Sequence, residues 1–238
     1  MLYLFIVIIL SYLVGSFPTA LVFGKLFKGV DVRQLGSKNM GSTNAFRVLG
    51  WKVGVLVQLV DIAKGFIATL LISKLFFGNL PFENRTPFQD ITIVQLIAGI
   101  SAIIGHVWTV FAGFKGGKGI NTTAGMLLSL APIDATIAIG IFILVLTFSG
   151  YVSLGSIIAA YSFPSAMFIR ENFFGVEIDG YHTLIYFSLA VCIFLTYNHR
   201  ANIKRLMYGE ENRFEKWWKV RWIQINAPIK RKKKVKDL

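Results

Sequence analysis

The sequence predicts an all-α fold: a polytopic bundle of about seven transmembrane helices, N-terminus outside and C-terminus cytoplasmic. Three observations predict it. Of the 238 residues, 55% are hydrophobic and mean hydropathy is +0.62, values that soluble domains of this size rarely reach. The apolar residues fall in runs long enough to cross a hydrocarbon core of ~30 Å. The formal net charge of +13 is unevenly shared between loops, and Lys and Arg mark loops retained in the cytoplasm.

Leu2 to Gly24 is the first expected span. It is too long for a signal-peptide apolar region and lacks a basic leader. Gly15, Ser16 and Pro18 allow close packing and a kink in its second half. The next loop carries Lys25, Lys28, Arg33, Lys38, Arg47 and Lys52 against Asp31, which places it inside. Val53 to Phe77 is the second span. Its Gly54, Gln58, Asp61 and Gly65 recur at helical spacing, and Lys64, one turn from Asp61, neutralises it in a structural pair. The loop from Gly78 to Asp90 reads as outer. Ile91 to Ala112 is the third span; His106 near its end has no visible partner and reads as structural. About 30 apolar residues then lie between Lys118 and Ser149. Parity resolves them: two short helices, Ile120 to Ala131 and Ile133 to Phe148, turning at Pro132 and Asp134, return the chain to the side where the basic end belongs. A re-entrant pair gives the same parity. Tyr151 to Ile169 and Tyr181 to Tyr197 are the last two spans.

Two domains follow: a transmembrane unit over 1–212 and a basic tail over 213–238. The tail has ten Lys or Arg against Glu215 and Asp237, with Trp217, Trp218 and Trp222 among them. Beside a membrane, such a segment points to anionic lipid headgroups and not to nucleic acid. The single cysteine, Cys192, lies in an apolar run. It excludes an internal disulfide, and no Cys/His spacing suits a metal.

Three polar clusters fall on the predicted cytoplasmic face. The first, DVRQLGSKNMGSTNAFRVLG (31–50), gathers glycines, hydroxyls, amides and two arginines, an inventory suited to a bound phosphate. The second, GHVWTVFAGFKGGKG (105–119), joins glycines to Lys115 and Lys118. It is not a P-loop: Ala112 stands where the first glycine is needed, and Gly119 follows the lysine in place of Ser or Thr. The adjacent Gly116 and Gly117 suit a backbone phosphate nest. The third, NHRANIKRLMYGEE (198–211), puts His199 and Asn202 three apart, on one face if the helix continues. Ser37 also suits a helix cap, and Lys115 and Lys118 also suit plain positive-inside markers. No carboxylate stands where it would orient His199 in a Ser-His-acid triad. A transporter of phosphorylated solutes is the alternative function, but it needs polar residues through the membrane depth, where only Gln58, Asp61 and Lys64 occur. A binding scaffold for lipid-synthesis partners is a further alternative, resting on the basic tail.

Taken together and in this order, the three clusters resemble the motifs of the bacterial acyl-phosphate:glycerol-3-phosphate acyltransferases, the PlsY-type integral membrane family, from about Gly15 to Arg213. The resemblance implies transfer of a fatty acyl chain from acyl-phosphate to glycerol 3-phosphate in the cytoplasmic (inner) membrane, with no cofactor and no metal. It implies catalytic roles for Ser37, His199 and Asn202. It implies substrate binding by Arg33, Asn39, Thr43, Asn44, Arg47, Lys115, Gly116, Gly117, Lys118 and Gly119. Thr43 and Asn44 are expected to orient glycerol phosphate; the base is either His199 or a substrate phosphate. Arg205, Gly209 and Glu211 follow in the third motif. Association with the enzyme that supplies acyl-phosphate is a further expectation. The chain departs from the family pattern at Thr109, Asn121, Asn198 and Arg213, where proline, alanine, arginine and lysine are common.

Overall fold

A computed structural model describes residues 2–77, 80–85, 90–178 and 180–213. The expected tail lies outside these residues beyond Arg213. The described residues form ten α-helices and no strands: α1 (Leu2–Ser16), α2 (Thr19–Lys28), α3 (Ser42–Leu49), α4 (Trp51–Leu70), α5 (Asp90–Val107), α6 (Ile120–Leu130), α7 (Pro132–Ser149), α8 (Val152–Asn172), α9 (Tyr181–Asn198) and α10 (Arg200–Met207). Six segments are long and apolar enough to span a bilayer: Leu2–Lys28, Trp51–Leu75, Asp90–Ala112, Pro132–Ser149, Val152–Asn172 and Tyr181–Asn198. The expected short span at Ile120 is α6, of 11 residues. At 1.5 Å per residue it covers about 16 Å, half of a hydrocarbon core.

The first span breaks where proline dictates. Pro18 has no N–H to give to Val14, so α1 ends at Ser16 and α2 restarts at Thr19. Below the break, α1 packs along α5. A Cβ on Gly15 would strike the carbonyl of Ala102, and one on Gly105 would strike that of Tyr12. Small residues let the backbones meet, as membrane packing requires where no water-driven force holds helices together. Pro132 opens α7 at its first positions, where a missing N–H costs nothing. Asp134, in the first turn of α7, accepts a 2.6 Å bond from Arg170 near the end of α8, which fastens the α7–α8 hairpin.

The same device places α6. Gly65 of α4 lies against the Thr122 carbonyl, and Gly125 of α6 against that of Ile62. The first turn of α6 therefore faces the middle of α4, not its end. Lys118, just ahead of α6, is carried into the bundle with it. Three apolar clusters surround this level. One joins α1, α4 and α5 through Val7, Ala68, Val94 and Ala98. A second seats the 30–49 segment on α2 and α4 through Val32, Met40, Ala45 and Val57. The third ties α5 to α9 through Met126, Phe163, Met167 and Leu184.

Candidate active site

A cavity of about 900 Å³ opens where α3, α4, α6, α7, α8 and α10 converge. Of the residues singled out from sequence, Ser37, Asn39, Thr43, Asn44, Arg47, Lys118, Gly119, His199 and Asn202 line it. Arg33, Lys115, Gly116 and Gly117 do not.

The first wall is the 31–50 loop and α3. Gly36 has φ +58, and a Cβ there would meet the Asn44 amide oxygen, so the turn requires glycine. Asn44 is buried. Its Oδ1 accepts the Ser37 N–H at 2.8 Å, and its Nδ2 donates to the carbonyls of Val32 at 2.9 Å and Leu35 at 3.1 Å. The expected contact of Asn44 with substrate gives way to positioning, because both amide protons are spent on the loop that presents Ser37. Asn39 likewise accepts the Gly41 N–H at 2.9 Å. Arg33 instead closes the preceding turn through a two-pronged pair with Asp31, 3.0 and 2.7 Å. That guanidinium holds the Asp31 carboxyl down at about 2. Arg47 faces the cavity, and its burial lowers its pKa.

The second wall is a network the sequence spreads over 94 positions. Lys118 Nζ donates to Asn202 Oδ1. Asn202 Nδ2 donates to Glu211 Oε1 at 2.7 Å, Ser153 Oγ donates to the same oxygen at 3.1 Å, and Arg205 Nε donates to Glu211 Oε2 at 2.6 Å. Glu211 thereby fixes which way the Asn202 amide points. Burial pushes the Lys118 ammonium down to about 8, Glu211 opposing and Arg205 and Arg47 assisting. Arg47, Lys118 and Arg205 line the cavity together with the carboxylates of Glu211 and Asp61.

His199 lies at a break, φ −98 and ψ 4, between α9 and α10. The helix does not run through it, yet His199 and Asn202 still share the cavity. His199 Nδ1 is 2.8 Å from the Leu195 carbonyl. A carbonyl only accepts, so Nδ1 carries the proton and Nε2 keeps its lone pair. Burial, and then the neighbouring Lys118, depress the ring to about 4. The imidazole is neutral at pH 7 and able to take a proton.

Gly116 and Gly117 serve packing. A Cβ on Gly116 would strike the His106 carbonyl, and one on Gly117 the His106 ring. The Gly117 N–H donates to His106 O at 3.1 Å, so it is not free for a phosphate nest. Lys115 is exposed. His106 has the partner its sequence position does not show: Nδ1 lies 3.4 Å from Lys64 Nζ and 3.8 Å from Asp61 Oδ1. Asp61 pairs with Lys64 at 2.7 Å, as their spacing predicts. It also accepts from Thr19 Oγ1 at 2.8 Å, while Lys64 donates to the Phe17 carbonyl at 2.8 Å. The same Phe17 carbonyl, at the break between α1 and α2, accepts the Thr19 N–H at 2.9 Å.

Sequence reasoning assigned no site role to Arg205, Glu211, Ser153, Asn121, Asp61 or His106, all of which line the cavity. Arg205 was within reach, one helical turn after Asn202. Ser153 and His106 carry no local signal. Apolar side chains complete the lining: Val55 of α4 and Phe142, Leu146 and Phe148 of α7. Helix α7 packs on α8 and α6.

The sequence profile of the family described as Glycerol-3-phosphate acyltransferase matches residues 5–209. The chain belongs to that family. A glycerol-3-phosphate acyltransferase of Chlorobaculum tepidum is 49% identical over 222 residues, 87% of this chain and 94% of the relative. One of Chlorobium chlorochromatii is 46% identical over 230 residues, 90% and 97%. Among solved structures, the glycerol 3-phosphate form of PlsY, an integral membrane glycerol 3-phosphate acyltransferase, superposes with a TM-score of 0.73 at 35% identity. It covers 90% of this chain and 96% of that one. Its lysophosphatidic acid form matches with the same score at 34% identity. With six spanning helices and this structural relative, the chain is a multi-pass integral membrane member of the acyltransferase family.

Proposed function

We propose that the protein transfers a fatty acyl group from acyl-phosphate to the sn-1 hydroxyl of glycerol 3-phosphate, giving lysophosphatidate and inorganic phosphate. The observation that carries this reading is the meeting of Lys118, Arg47 and Arg205 with neutral His199 in one cavity that is also lined by apolar side chains. Cations suit two phosphorylated reactants, and the apolar side chains of α4 and α7 suit an acyl chain. The relatives' activity on glycerol 3-phosphate agrees with it.

Acyl-phosphate is already activated, so the protein supplies alignment, charge neutralisation and a proton acceptor. The hydroxyl oxygen of glycerol 3-phosphate attacks the acyl carbon while His199 Nε2 takes its proton. The bond from acyl carbon to phosphate oxygen then breaks, and phosphate leaves into the field of Lys118 and Arg47. His199 returns the proton to the departing phosphate or to solvent. A phosphate bound nearby raises the pKa of the imidazole from about 4, bringing its basicity closer to that needed. Ser37, which lines the cavity, binds a phosphoryl group.

In this reading the cavity faces the cytoplasm from the inner membrane, and the tail beyond 213 contacts anionic headgroups or the enzyme that supplies acyl-phosphate. The test is purified protein with radiolabelled glycerol 3-phosphate and either palmitoyl-phosphate or palmitoyl-CoA. Transfer from palmitoyl-phosphate is expected; transfer from CoA alone overturns the donor. Single cysteines introduced beside Ser37 and Lys118 are expected to label from the same, cytoplasmic, face.

A further inference from the structure

Asn121 stands outside every residue so far given a role, yet the fold delivers it into the cavity. It sits in the first turn of α6, and its Nδ2 donates to Ser42 Oγ, in the first turn of α3, at 2.9 Å. That bond joins two helix N-termini across the cavity and fixes the plane of the amide. Asn121 Oδ1 accepts no hydrogen bond among the described residues. Three neighbouring amides differ in this, whereas Asn198, which donates from Nδ2 to the Lys118 carbonyl at 3.4 Å, and Gln58 line the cavity with their oxygens likewise unengaged among the described residues. Asn202 Oδ1 is taken by Lys118, Asn44 Oδ1 by the Ser37 N–H and Asn39 Oδ1 by the Gly41 N–H. Both oxygens of Glu211 are likewise engaged.

An amide oxygen only accepts. A phosphate dianion, which also only accepts, cannot use it, and neither can an acyl chain. In a cavity whose cations and helix N-termini supply donors for phosphate, an unspent acceptor matches a hydroxyl. Glycerol 3-phosphate has two hydroxyls. The attacked one gives its proton toward His199. The other has no assigned partner.

We infer that Asn121 Oδ1 accepts a hydrogen bond from the central hydroxyl of glycerol 3-phosphate and so selects this acceptor over phosphorylated alcohols that lack it. The inference rests on the acyl-transfer reading above. Ser42 aims the amide, and the hydroxyl completes it. Sites built to bond a hydroxyl reject analogues without one, because the site's polar group is left unpaired.

The experiment compares glycerol 3-phosphate with 3-hydroxypropyl phosphate, which lacks only the central hydroxyl, in the parent and in Asn121→Ala. Alanine suits a first helical turn, and a thermal unfolding curve verifies that the variant folds; Asn121→Ser is the second variant if it does not. The parent is expected to prefer glycerol 3-phosphate in kcat/KM by roughly tenfold, the discrimination of one neutral hydrogen bond. In Asn121→Ala that preference is expected to shrink to about twofold through loss on glycerol 3-phosphate alone, with the KM for acyl-phosphate unchanged. Equal losses on both acceptors, or a change confined to the acyl-phosphate KM, overturn the inference while leaving acyl transfer intact. Failure of the parent to acylate either acceptor overturns the functional reading, and this inference with it.

Discussion

Two polar networks meet the same cavity and differ in how their charge closes. Asp61, Lys64 and Thr19 form a set whose ions lie 2.7 Å apart, three residues apart on one helix, and almost fully buried. Each charge there has its opposite within the protein. Across the cavity, Lys118, Arg47 and Arg205 gather around Glu211, which bonds Arg205 directly and reaches Lys118 through Asn202. Burial lowers the pKa of both Lys118 and Arg47, and Glu211 opposes that shift in each. The contrast separates two roles: an ion pair formed within one helix turn fixes its surroundings, whereas cations from separate segments that line a cavity are placed to meet a ligand.

Breaking the closed network gives the largest effect, and on stability. Asp61→Asn leaves the Lys64 ammonium buried without its carboxylate, at an expected cost of about 3–5 kcal/mol, read as a lower unfolding midpoint in detergent. The double variant Asp61→Asn with Lys64→Met removes both charges and is expected to recover most of that loss. If the single and double variants unfold alike, the pair is not the closed unit described.

Breaking the open network acts on rate. Lys118→Ala is expected to reduce kcat/KM by about a hundredfold or more, on the scale of removing one preorganised donor to a developing charge, with little change in the unfolding midpoint. A loss of folded protein equal to that of Asp61→Asn would erase the distinction between the two networks.

The pH profile sharpens the same point. Lys118 is cationic below its pKa of about 8 and neutral above it, so kcat/KM is expected to decline as pH rises through that value. Lys118→Arg keeps its charge at high pH, so the decline should move to higher pH or vanish. Binding of phosphate moves the pKa upward, so the limb belongs in kcat/KM more than in kcat.

The smallest effect comes from Glu211→Gln. Loss of the carboxylate removes the group that raises the Lys118 pKa, so the alkaline limb should shift to lower pH. Asn202 also loses its charged anchor, with a roughly two- to tenfold rise in KM for glycerol 3-phosphate. Glu211→Asp is expected to restore the limb in part. A fall in the amount of folded enzyme with an unmoved pH profile would make Glu211 merely structural.

Much of this was legible before any fold. Of about seven expected spans, six correspond to segments long and apolar enough to cross a bilayer and the seventh to the short helix α6, because crossing a bilayer demands apolar runs whatever the packing; Pro132 marks the start of α7. Spacing alone paired Asp61 with Lys64. The loop glycines and polar residues marked 31–50, 105–119 and 198–211, and most of their side chains do meet. The errors have one cause. Gly116 and Gly117 look like a nest because sequence shows what glycine permits, not what lies against it; here it is the His106 ring and carbonyl. Asn44 looks like a ligand until its three bonds to the loop are drawn.

Sequence by itself determined an all-helical membrane protein with cation-rich polar segments between its spans, since local composition and period carry that information. Only the tertiary structure decided which of those cations share a cavity, that α6 begins beside the middle of α4, and that Glu211, Ser153 and Asn121 belong to the same site as Lys118. Such facts depend on side chains meeting across 58 to 84 positions of chain, at backbone separations set by Gly65 and Gly125, and no stretch of sequence short enough to show a period records them.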